Sequence, residues 1–173
     1  MFLRFHKTLP NISIFHNSKS PVSQRAVEIL KAAKAGPYKG KPLEFDLEII
    51  TDQPPTPTQF QTILSYTSKP LSSLLASAHP SASSEPTPLS EEALHEAVTK
   101  NKESLKWPVV VDWYNGRAVV GEAEGVKSVI LEELRKERDG EKYTSPMDPV
   151  AVSWLIPALH YPHLLQSHLS SSK

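Results

Sequence analysis

Residues 12–49 change hydrophobic period twice, and few folds accommodate that order. Ile12 to Phe15 is a short apolar run of strand formers, halted by the polar residues His16 to Ser20, so it reads as a buried strand opening into a loop. Ser20 suits a helix N-cap and Pro21 the first helical position. From there Ala26, Val27, Ile29, Leu30 and Ala33 form a stripe at helical spacing that stops at Gly36 and Pro37. Leu43, Phe45, Leu47 and Ile49 then alternate with Glu44, Asp46 and Glu48, the period of a strand with one wet face. Strand, helix, strand at this length is a βαβ unit with parallel strands.

The remaining elements follow in order. Prolines 54, 55 and 57 open a turn, and Phe60, Ile63 and Leu64 give Thr58–Tyr66 the inner face of a short helix. Between Ser68 and Ser90, 12 of 23 residues are serine or proline, a composition expected of a mobile insertion over 68–90. A helix is expected from Glu91 to Leu105, capped by Ser90, with Leu94, Val98 and Leu105 on its apolar stripe. Pro108 leads into Val109–Trp113, Asn115-Gly116 reads as a two-residue turn, and Ala118–Val120 returns. A last helix from Ala123 to about Arg138 is expected to bury Val126, Val129, Ile130 and Leu134. The chain thus divides into a basic segment 1–10, one α/β domain over 11–140, and an apolar tail over 141–173 broken by Pro146, Pro149, Pro157 and Pro162.

Composition removes several functions. Lysine plus arginine and aspartate plus glutamate both total 19, leaving no basic excess to match a run of phosphates, so nucleic acid is not an expected partner. No apolar run approaches the roughly 18 residues of a membrane span. Cysteine is absent, which removes disulfides, thiolate nucleophiles and cysteine-ligated metals together. His160, His163 and His168 are interrupted by Pro162 and have no carboxylate beside them in the tail, so no metal is expected. Arg4, Lys7, Lys19 and Arg25 precede the first acidic residue, Glu28, which is the charge bias of a mitochondrial transit peptide; a cleavable segment of about ten residues would spare the first strand.

The whole order, βαβ then ββα with an intervening helical and insertion segment, resembles a thioredoxin-like α/β fold. His16 and Asn17 after the first strand, with the Ser23–Leu30 helix behind, resemble the arsenate-reductase-like family, whose catalytic cysteine would fall on Ser20. Ile12–Asn17, Ser23–Lys31, Phe45–Ile49, Pro55–Gln59, Leu94–Val98 and Val111–Gly121 together are similar to a family of fungal mitochondrial proteins of thioredoxin fold to which a redox role is ascribed. That resemblance implies a mitochondrial oxidoreductase acting on small molecules through a thiol, whose cysteine aligns with Ala97 here. Neither alanine nor an unactivated serine replaces a thiolate. The arginines that would hold an oxyanion are replaced too, with Trp107 before Pro108 and Glu122 after Gly121.

The candidate ligand-binding residues are therefore His16, Asn17, Ser20, Trp107 and Pro108. Asn17–Ser23 enters a helix, where free N–H groups favour an anion and Lys19 and Arg25 add charge, although plain capping by Ser20 accounts for the same residues. Pro108 stands where thioredoxin-like proteins carry a cis proline against which a thiol ligand extends. Trp107 and Trp113 are expected to pack rather than to form a cofactor platform. Two roles follow: a redox protein that borrows its sulfur from glutathione or a partner protein, or a catalytically silent interaction module of the same fold.

Overall fold

In the computed structural model, residues 8–76 and 90–141 are described. Residues 1–7 of the expected presequence, residues 77–89 of the expected insertion, and the tail from residue 142 with its three histidines lie outside them. The elements run β1 (Asn11–His16), α1 (Pro21–Ala35), β2 (Pro37–Tyr38), β3 (Lys41–Pro42), β4 (Asp46–Thr51), α2 (Pro57–Thr67), a 3₁₀ turn (Leu71–Leu74) and α3 (Glu91–Lys100). A second 3₁₀ turn (Lys102–Ser104), β5 (Val109–Asp112) and β6 (Arg117–Val120) follow. The last helix has three consecutive stretches: α4 (Ala123–Gly125), a π-helical turn (Val126–Leu131) and α5 (Glu132–Asp139).

β1 sits inside a four-stranded sheet of order β4-β1-β5-β6, parallel to β4 and antiparallel to β5. Side-chain alternation along it sends Ile12 and Ile14 to one face and Ser13 and Phe15 to the other. Ile12, Ile14, Val110 and Val119 pack with Leu30 of α1 and with Val126, Ile130 and Leu134 of the final helix. Phe15, Val109 and Val111 pack on the opposite face with Phe60 and Ile63 of α2 and Leu94 and Val98 of α3. Both faces being covered explains why β1 and β5 are nearly continuous apolar runs. The expected thioredoxin-like α/β architecture is the observed one.

Several boundaries differ from the sequence reading. β4 begins at Asp46, and Leu43 and Phe45 of the expected strand are buried in the segment leading into it. The β2–β3 hairpin was not foreseen: Lys39 and Gly40 both have positive φ (50° and 90°), the pairing a tight two-residue turn needs, but without an Asn-Gly signal. The Asn115-Gly116 turn is instead a four-residue loop, Trp113–Gly116, because Asp112 pairs with Arg117. Asn115 donates its N–H to Asp112 Oδ1 at 3.1 Å and its side-chain amide to Asp112 Oδ2 at 2.8 Å, which close the four-residue loop, and within it only Gly116 takes a positive φ.

α3 stops at Lys100 rather than reaching Leu105, since Asn101 is extended and its side chain accepts the N–H of Glu103. Val129 is 40% exposed and Leu131 is buried in its place, because the wider π turn rotates the apolar face by one residue. Residues 71–75 of the expected insertion pack on the domain: Leu74 and Leu75 are buried in the second core, and Leu75 bridges Leu105, while residues 68–70 are exposed.

The final helix lies close on β6 because Gly125 has no side chain. A Cβ there would stand 2.8 Å from Val119 Cγ1, and Val119 is itself buried. Gly125→Ala is expected to destabilise the protein by about 1–3 kcal/mol through overpacking. Urea unfolding of the full chain checks it; an unchanged midpoint would mean that β6 and the helix have room to separate.

Candidate functional site

Four segments leave the sheet at one end. β1 and β4 are parallel and in register at His16 and Thr51, so their carboxyl ends lie side by side, and Asp52 N–H closes onto His16 O at 2.7 Å. Phe15 faces Val109 across the antiparallel pair, which puts Pro108 next to the level of His16. Gly121 N–H reaches Pro108 O at 2.8 Å and brings the end of β6 there too. The crevice beyond the carboxyl ends of the strands is where open α/β sheets take ligands.

The turn from β1 into α1 is held by a polar knot. Ser23, fully buried, has its hydroxyl 2.8 Å from His16 Nδ1 and accepts the buried N–H of Asn17 at 3.1 Å. Asn17, 6% exposed, accepts Lys19 N–H on its Oδ1 at 2.9 Å. Ser20 Oγ accepts Ser23 N–H at 3.3 Å and is the N-cap of α1, with Pro21 at the first turn as expected. Its hydroxyl is thereby occupied in capping, and the nearby imidazole of His16 is paired with Ser23 instead.

Asp52 was not singled out from the sequence, and it fixes the outer side of the loop. It has a left-handed φ of 58° and takes Ser18 N–H on Oδ1 at 3.1 Å and Ser18 Oγ–H on Oδ2 at 2.8 Å. The backbone N–H of Ser18, then its hydroxyl, hold the Asp52 carboxyl below its ordinary value; Lys102, whose Nζ is 4.0 Å away, adds a smaller pull and desolvation opposes them. A polar residue directly after a strand of alternating pattern was the available signal for Asp52.

Beside this loop is a hollow of about 350 Å³, walled by Asn17–Lys19, Asp52 and the residues that end α3, including Lys100 and Lys102. Trp107 and Pro108 do not line it. Trp107 is buried in the second core and its indole N–H donates to Lys102 O at 2.6 Å, so it holds the turn that forms the far wall. The Trp107–Pro108 peptide is cis. Trp113 is partly buried beside that core, with its indole N–H on Ser13 Oγ at 2.8 Å. Ala97 is half-buried within α3, and its carbonyl accepts Asn101 N–H at 2.8 Å. Arg25 is turned away to Glu124 at 2.7 Å. Lys19 is thus the cation beside the loop on its own segment, and Lys100 and Lys102 come from far along the chain.

Among the described residues no group of three or more His, Cys, Asp or Glu side chains is placed to hold a metal ion, and no helix is long and apolar enough to cross a membrane. Asp52→Asn tests the loop lock, since asparagine tolerates the left-handed backbone and keeps an acceptor while losing charge. A carboxyl held low when folded contributes stability above about pH 4 and loses it as pH falls through its folded value. The variant is therefore expected to have a lower urea midpoint than the parent at pH 7, and the gap to narrow progressively as pH is lowered below about 4. A constant gap would separate Asp52 from the loop's charge balance.

Three comparisons bear on this architecture. The family described as protein of unknown function (DUF1687) matches residues 2–121. Arsenate reductase from Vibrio cholerae is similar in structure with a TM-score of 0.51 and 18% identity, over 71% of this chain and 100% of that one. A Yersinia pestis chain assigned as an arsenate reductase has a TM-score of 0.48 and 17% identity, over 68% of this chain and 98% of its own. No curated protein matches the chain. At 18% identity the likeness to the Vibrio cholerae protein shows the fold alone.

Proposed function

The chain belongs to the DUF1687 family of proteins of unknown function, and from that footing we propose that it is a mitochondrial redox protein that binds a small thiol compound, glutathione foremost, at the carboxyl end of its sheet. One observation carries the reading: a thioredoxin-like domain whose first strand, loop and helix resemble those of a thiol protein contains no cysteine, so a redox reaction there would need its sulfur brought by a ligand. The hollow beside Asn17–Lys19 has the volume of a small-molecule site, and its wall carries Lys19, Lys100 and Lys102 against Asp52 and Glu103, with Lys100 paired to Glu96 at 2.6 Å, so Lys19 is the cation best disposed toward a carboxylate of a γ-glutamyl tripeptide. The positive end of α1 favours the thiolate over the thiol for a sulfur held near it. The basic segment ahead of Glu28 supports the mitochondrial assignment.

In the exchange so supported, the bound thiolate attacks a disulfide of a second substrate. One S–S bond forms as another breaks, and the departing thiolate takes up a proton. The chain's own residues orient the carboxylates and supply the helix end; Ser20 is a cap and not a nucleophile. A second reading, a silent docking module, is favoured by that same occupied hydroxyl, and it requires no turnover.

Titration of the isotope-labelled full chain with glutathione decides between them. Saturable amide shifts confined to residues 17–22, 52 and 99–103 are expected if the hollow takes the thiol. Absence of shifts at millimolar glutathione would remove the redox reading and leave the docking module.

A further inference from the structure

The sheet has two edges, and the chain treats them differently. On β4 the outer residues include Asp46 and Glu48, and the Glu48 carboxylate is drawn over the sheet to take Ser13 Oγ–H at 2.8 Å. Charged side chains on an edge, above all one turned over the sheet, oppose the addition of another strand. β6 carries no such device along Ala118, Val119 and Val120.

Hydrogen-bond phase shows which backbone groups of β6 are open. Gly121 N–H bonds to Pro108 O, and bonded pairs in an antiparallel ladder recur every second residue, so Val119 and Arg117 also face β5. The other side of β5 agrees, because Trp113 N–H bonds to Asn11 O and sets Val111 and Val109 toward β1. Ala118 and Val120 therefore turn both N–H and C=O away from the sheet.

These groups open into a second hollow, of about 410 Å³, between the α2 side and the final helix. Two further features point to an occupant. Lys69 and Lys106, on its wall, have no acidic partner among the described residues, against one carboxylate there, Glu122. Val129, turned outward by the π turn, adds an exposed apolar side.

We propose that β6 is a docking edge for an extended acidic peptide segment of a partner protein, which adds as a fifth strand through Ala118 and Val120 while its carboxylates meet Lys69 and Lys106. Backbone pairing supplies affinity in this mode, and the flanking side chains supply selectivity. The proposal is independent of the thiol ligand and of the sheet end.

The probe is a blocked peptide, acetyl-Glu-Val-Thr-Val-Thr-Val-Glu-amide, added at millimolar concentration to the isotope-labelled full chain while amide hydrogen exchange is followed. In the free chain the Ala118 and Val120 amides are expected to exchange fast, and with peptide to slow by about tenfold or more. Peptide N-methylated at alternate residues on the pairing side should lose this effect, as should the lysine-ended counterpart in large part. Ala118→Pro removes one outward N–H at a position where an edge strand accepts proline, and Lys69→Glu with Lys106→Glu leaves the strand untouched; both should abolish protection. Slow exchange already present in the dilute free chain would mean that its own residues cover the edge. Slow exchange that appears with protein concentration, alongside a dimer in sedimentation, would assign the edge to a second copy. Either result, no protection by the peptide, or equal protection by its N-methylated form, overturns the proposal.

Discussion

β1 is hydrogen-bonded on both edges and covered on both faces, and the positions of the other elements are set from it. Its parallel pairing with β4 requires a crossover, which α1 supplies on one face. Its antiparallel pairing with β5 requires that the chain return from the other direction, after α2 and α3 have covered the second face. A strand so placed has no freedom of register, because a one-residue slip would put Ser13 among Leu30 and Ile130 and expose Ile12 and Ile14 to the wrong layer. The polar knot of His16, Asn17 and Ser23 sits where that fixed strand must turn into α1. Its geometry is inherited from the strand above it.

That inheritance bears on the chemistry of the sheet end. A thiol at the Ser20 position would lie at the positive end of α1, where a thiolate is stabilised. The hydroxyl that stands there is a much weaker acid, and it already accepts Ser23 N–H. His16, the nearest imidazole, is directed at Ser23 and not at Ser20. The helix end and the loop are thus present at the end of the sheet, and the side chain that stands there is a cap. On the proposed reading, a ligand that brings its own sulfur would meet the positive end of α1.

Much of this was readable from the residues. Ser20-Pro21 marked the start of α1 because a cap and a pre-set φ act locally, and the apolar stripe to Ala33 needed only the helical period. The strands of β1, β5 and β6 were legible for the same reason. What was not legible depends on distance or on competition between local options. Asn101 ends α3 by bonding its own neighbour, and the π turn exchanges Val129 for Leu131, and neither is encoded in a simple period. The hollow at the sheet end joins Lys19 to Lys100 and Lys102 across some eighty residues of chain, so only the fold brings them together. Asp52 and Ser23 are polar residues whose roles appear once their partners, Ser18 and His16, are placed.

The turn into α1 and the outer edge of β6 differ in how their polar groups are met. At the turn into α1 the Ser20 and Ser23 hydroxyls and the Asn17 N–H find partners within the chain, so those groups are satisfied without a ligand. Along β6 the outward backbone groups of Ala118 and Val120 meet no protein partner among the described residues, and Lys69 and Lys106 beside them have no acidic partner there. Water satisfies an open strand edge at little cost, so nothing in the energetics of the folded chain requires that edge to be closed. The turn into α1 is therefore completed by bonds the chain makes with itself, whereas the β6 edge keeps a donor and an acceptor at each of two residues available for pairing.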